Sequence, residues 1–150
     1  MQPDQAADYV AGILARHEVQ FASREDGKGH LIVMGSSATE IHFAHWAEED
    51  CVVNVSAIVL QQVPANQGMR LLKRLNKFNC EGFFSKFYLD EDLNQVRLEY
   101  DLLASRLQPD ELMNALSVVA LEADRVDDLL AQDFGGKTFG QAVQEALESS

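Results

Sequence analysis

Four residues, Gly135-Gly136-Lys137-Thr138, look like the end of a phosphate-binding loop, in which consecutive backbone N–H groups and a lysine would cradle phosphate oxygens. The match breaks twice. The loop's first glycine would fall at Ala131, and the run follows a helical stretch where the motif must follow a strand. Paired glycines suit a helix C-terminus, so the run reads as a helix stop. Asp90, Asp92 and Asn94 take the first, third and fifth places of a calcium loop, with Asp101 at the twelfth. The sixth place is Gln95, where the sharp bend needs glycine, and the flanks alternate like strands, so a solvated hairpin turn is expected.

His42 and His45, three apart on a strand, point to opposite faces and cannot share an ion. His17 and His30 have no Cys or carboxylate at ligand spacing. Glu122, Asp124, Asp127 and Asp128 crowd one helix, where carboxylates three or four apart could hold a divalent ion. The leading expectation for them is a solvated acidic face; the alternative is a small metal-dependent or enzymatic domain working through that helix. Ser36, Ser37, Cys51 and Cys80 lack any nucleophile elbow or flanking signature. No catalytic residue, metal ligand or cofactor is assigned. Both cysteines, without CxxC spacing, are expected to be buried free thiols.

The elements that must position these groups follow from periodicity. Asp4 to Arg16, with Tyr9, Val10, Ile13 and Leu14 at helical spacing, predicts a first amphipathic helix. A short strand over Val19 to Ala22 and a Gly27-Lys28-Gly29 turn lead into His30 to Met34 as a hairpin. Thr39 to Trp46 alternates, with Glu40, His42, Ala44 and Trp46 on one face. Cys51 to Val63 puts Val53, Val55, Ala57 and Val59 on one face; the other begins polar at Asn54 and Ser56 and turns apolar at Ile58 and Leu60.

Pro64 stops that strand, and Asn66 to Asn79 predicts a second helix burying Leu71, Leu72, Leu75 and Phe78. Its other side carries Arg70, Lys73, Arg74 and Lys77 at i, i+3, i+4 and i+7, in a run from Cys51 to Cys80 free of acids. This basic stripe reads as a solvated face or as a docking strip for an acidic partner surface. Phe83, Ser85, Phe87 and Leu89 alternate with Phe84, Lys86 and Tyr88; after a turn, Val96, Leu98, Tyr100 and Leu102 alternate with Arg97, Glu99 and Asp101. Pro109 with Asp110 and Glu111 opens a third helix whose stripe runs Leu112, Leu116, Val119, Ala123, Val126, Leu130. Thr138 and Gln141 match a capping box for a short last helix through Leu147.

The order helix, antiparallel strands, helix, strand pair, long helix is that of an α+β domain, with about five antiparallel strands and the helices on one face. Its 150 residues show no linker, so one domain over 1–150 is expected. With 24 acidic and 12 basic residues the formal charge is −12, which opposes nonspecific contact with nucleic acid or anionic membrane. No apolar run approaches a membrane span and the N-terminus lacks a basic-then-apolar leader, so a cytoplasmic protein is expected.

FFSKFYLDEDLNQVRLEYDLL, preceded by LLKRLNKFN and followed by LQPDELMNALSVVALEADRVDDLLAQDFGG, resembles the YbjN-like family, which shares its fold with type III secretion chaperones. The resemblance covers about Val53 to Lys137 and rests on apolar positions plus the Leu75-Asn76 and Ala123-Asp124 pairs. It implies a sheet with helices on one side, homodimerisation, and binding of extended peptide or protein segments in place of catalysis. The residues point the same way: Trp46, Ile58, Leu60, Phe84 and Tyr88 would give the second sheet face apolar surface, either open to a partner or covered by the C-terminal helix. Together with Arg70, Lys73, Arg74 and Lys77 they form the expected partner-binding set.

Overall fold

The computed structural model describes residues 1–34 and 37–150; Ser36, one of the hydroxyls weighed above, lies outside them. Helix α1 (Pro3–Arg16) begins with Pro3 in its first turn and a Gln2/Gln5 capping box that satisfies free backbone N–H groups. Strands β1 (Ala22–Ser23), β2 (Gly29–Met34), β3 (Ser37–Trp46) and β4 (Asp50–Leu60) follow. After a 3-10 turn at Ala65–Gln67 come α2 (Gly68–Glu81), β5 (Lys86–Asp90) and β6 (Gln95–Leu103), then α3 (Pro109–Phe134) and α4 (Phe139–Glu148). The strands form one antiparallel sheet in the order β1-β2-β3-β4-β6-β5. The architecture is α+β, with six strands where about five were expected; the sixth is the two-residue β1, and of Val19 to Ala22 only Ala22 is extended in the sheet.

One core joins the helices to one face of the sheet. Ile41, Val53, Val55, Ala57 and Leu98 meet Val10, Ile13 and Leu14 of α1, Leu71 and Leu75 of α2, and the whole expected stripe of α3. Each fully buried leucine or isoleucine here contributes roughly 2 kcal/mol by leaving water. His30 is buried in this layer between the rings of Phe21 and Phe43, with Nε2 3.1 Å from the Ala7 carbonyl and Nδ1 3.1 Å from Ser23 Oγ, which ties β1 and β2 to α1.

The paired glycines do end α3. Gly135 and Gly136 have φ of +79° and +84°, and a Cβ on Gly136 would lie 2.6 Å from the Gln61 carbonyl oxygen. That close approach lets Lys137 and Gln61 exchange two backbone hydrogen bonds, at 2.7 and 2.8 Å. Thr138 Oγ1 then accepts from the Gln141 N–H, and the Gln141 side chain accepts from the Thr138 N–H, closing the expected capping box.

Several expectations need correcting, beginning with Leu72, which was expected on the buried side of α2 and is 40% exposed. Leu60 does not face outward: the register shifts between Ile58 and Leu60, so Val59 and Leu60 are both buried and Leu60 belongs to the core. Phe84 precedes β5 with φ of +69°, outside the alternation of the strand, and stacks on Tyr100 at 6.0 Å on the helix side of the sheet. Cys51 is buried as expected, but Cys80 near the end of α2 is exposed.

Candidate functional site

The second face of the sheet has α1, α2 and α3 all packed against its opposite side. Strand pairing fixes its rows. Val33, Ala38, Ile58, Arg97 and Tyr88 lie in one; Leu31, Glu40, Ser56, Glu99 and Lys86 in the next; His42, Asn54 and Asp101 in a third; Ala44, Val52 and Leu103 in a fourth, with Trp46 beyond. Alternation is thus obeyed on this face, and its middle is polar, with Asn54 and Ser56 in the middle rows and the apolar residues toward the ends.

That middle is a bonded network. Glu40 Oε2 accepts from His42 Nε2 at 2.9 Å and from Arg97 Nη2 at 3.2 Å, and Arg97 also donates to Ser56 Oγ at 3.1 Å. The His42 hydrogen bond, helped by Arg97 and opposed by burial, holds the Glu40 carboxyl down at about 2. Tyr88 Oη donates to Glu99 Oε1 at 2.6 Å; burial, and then Glu99, push its phenol up to about 12. Lys86 Nζ donates to Asp101 Oδ2 at 2.8 Å and lies 3.8 Å from Glu99, while Asn54 donates to Asp101 Oδ1 at 2.7 Å. Burial raises the Asp101 carboxyl, but Lys86 and Asn54 outweigh it and the net shift is downward. A groove of about 620 Å3 runs over this band, from Arg24 and His42 past Trp46 to Tyr88 and Asp101.

The expected partner-binding residues are therefore divided. Trp46, 60% exposed, Tyr88 and the half-buried Ile58 share the open face. Leu60 is in the core and Phe84 on the other side, where it joins Phe83, Phe87 and Val118 around a cleft of about 500 Å3 beside the end of α2. The basic stripe exists, yet much of it serves the fold: Arg70 and Arg74 lie 5.3 and 5.2 Å from the centre of the Phe134 ring, Arg74 pairs with Asp133 at 2.9 Å, and Lys77 lies 3.9 Å from Glu81. Lys73 lines the same shallow recess with them.

The acidic helix is similarly occupied. Glu122 holds Arg125 at 2.8 Å, Asp124 accepts from Ser37, and Asp127 is pushed upward by burial and then by its acidic neighbours. Among the described residues no group of three or more His, Cys, Asp or Glu is placed to hold a metal ion. The calcium-like run is a hairpin turn in which Asp90 Oδ1 accepts from the N–H groups of Asp92 and Leu93. Sequence reasoning placed Glu40 and His42 on one strand face and Arg97, Glu99 and Asp101 on another; only the strand order puts them together.

A sequence model of the family TY-Chap1, T3SS (YopN, CesT) and YbjN peptide-binding chaperone 1, matches residues 4–142. The chain belongs to this family. It is a protein- or peptide-binding domain of the chaperone type, as the resemblance implied. No curated protein matches it by sequence. Among solved structures it is similar to a chain of the ExsC-ExsE complex, at 18% identity over 87% of this chain and 97% of that one, with a TM-score of 0.64. It is also similar to YbjN from E. coli, at 14% identity over 79% and 91%, with a TM-score of 0.55. At these identities the likeness concerns the fold, an antiparallel sheet backed by helices. No helix among the described residues is long and apolar enough to cross a membrane.

Proposed function

We propose that this domain holds an extended segment of a partner protein on the open face of its sheet, without chemical change, and works in the cytoplasm as a homodimer. The observation that carries the reading is the open face itself: a groove over a bonded polar band, with Trp46 exposed at its end. A chaperone surface must hold a segment it does not transform, and fixed side chains flanked by apolar surface do this at low ordering cost. The structure with the TM-score of 0.64 is itself of a two-protein complex, ExsC with ExsE.

Homodimerisation is assigned to the other edge. Phe83, Phe84 and Leu121 are 79, 76 and 69% exposed beside the edge strand β5, whose Phe87 N–H and carbonyl are already bonded to the Asn79 side chain, so the apolar surface and not the strand edge carries this assignment. The cationic side of α2 takes a lesser part, with Lys73 offering an added contact to an acidic stretch.

A photo-crosslinking side chain at Ala44, compared with one at Leu121, tests both assignments. Ala44 is expected to crosslink to partner segments and Leu121 to a second copy; no heterologous product from Ala44 would overturn the open-face reading. Phe84→Glu is expected to convert a dimer into a folded monomer by sedimentation. A wild-type monomer would remove the dimer from the proposal.

A further inference from the structure

Resting on the open face as the binding surface, we infer that its occupant is a cationic extended segment: two apolar side chains six positions apart, with Lys or Arg between them. The face has apolar ends and a charged middle. At one end Leu31 and Val33 are 38 and 67% exposed beside Ile58; at the other are Val52, Leu103 at 44% and Trp46 at 60%. Ile58 and Val52 are six residues apart on β4, which at the rise of an extended strand is about 20 Å. A segment lying along β4 rises at the same rate, so side chains facing the sheet at i and i+6 reach both ends, and those at i+2 and i+4 fall over the middle.

The middle sets the charge. Glu40, Glu99 and Asp101 face it, against Lys86 and Arg97. Arg97 is committed to Glu40 and Ser56, and Lys86 to Asp101 and Glu99; Arg24, at the rim, pairs with Asp26 at 3.5 Å. His42 is bonded to Glu40, and His45 stands beside Trp46 at the groove's end. Carboxylates remain in excess over fixed cations, and the −12 charge of the chain extends the same field outward. An incoming Lys or Arg would find acceptors on Glu99 and Asp101; an incoming Asp or Glu would meet like charge.

Trp46 is the single tryptophan and reports on this face directly. Labelled Leu-Ser-Lys-Ser-Lys-Ser-Leu and its counterpart with Glu in place of Lys are titrated against the full chain, reading anisotropy and Trp46 emission together. The Lys peptide is expected to bind about tenfold or more tightly, to shift Trp46 emission, and to lose its advantage as salt shortens electrostatic reach to a few ångströms. Asp101→Asn should narrow the preference. Equal binding of the two peptides with Trp46 responding would overturn the charge selection and leave the open-face reading standing. Binding of the Lys peptide that leaves Trp46 emission unchanged and survives Ala44→Arg would place the site elsewhere and overturn both.

Discussion

The two faces of this sheet are built from the same strands by opposite rules. On the helix side Val53, Val55, Ala57 and Leu98 are buried with less than 2% exposure, and their partners are apolar. On the open side the residues between them, Asn54, Ser56, Arg97 and Glu99, are joined by named hydrogen bonds, and the apolar residues sit at the ends. Burial holds the first face together without direction; directional bonds hold the second in one arrangement while leaving it accessible. A binding surface can keep its shape before its partner arrives if its polar groups already satisfy one another.

Leu60 and Ile58 give the largest contrast between the faces. Leu60→Asp would bury an unpaired carboxylate and should cost roughly 4 kcal/mol or prevent folding. Ile58→Asp, one register shift away on the open side, should cost less than about 1.5 kcal/mol. Urea unfolding of the two variants checks this; similar losses would mean the bulge does not divide the faces.

A smaller effect concerns the polar band. Glu40 has its carboxyl lowered from 4.5 to about 2 in the folded chain, so its contribution is fully present above pH 4.5 and is lost as pH falls toward 2. After allowance for partial exposure that contribution is on the order of 1–2 kcal/mol. The stability difference between wild type and Glu40→Gln should be largest near neutrality and shrink toward zero between pH 4.5 and pH 2. A difference independent of pH would show that charge on Glu40 does not stabilise the band.

The smallest expected change is in stability on Trp46→Ala, within about 0.5 kcal/mol, because the ring is mostly in solvent. Peptide binding measured by anisotropy should nonetheless weaken. A large loss of stability would mean that Trp46 belongs to the structural side of the comparison.

Much of this was legible in the chain. The stripe Leu112 to Leu130 fixed the long helix, and Thr138 with Gln141 fixed the start of the last one, because helix periodicity and capping are local. Leu60 and Phe84 were misplaced for a shared reason. Each follows an alternation that a backbone irregularity interrupts, a bulge in one case and a positive φ in the other. The polar band was visible only in pieces. Glu40 and Arg97 are 57 residues apart and meet because β3, β4 and β6 are neighbours.

By itself the sequence determined the α+β class, the extents of the main helices, the failure of the phosphate-like and calcium-like runs, and the resemblance to a peptide-binding family, since each rests on spacing within a short stretch. Tertiary structure alone decided which apolar residues reach solvent and that the second sheet face is a charged band between apolar ends. Those depend on strand order and register, which are set by the burial of the whole core at once.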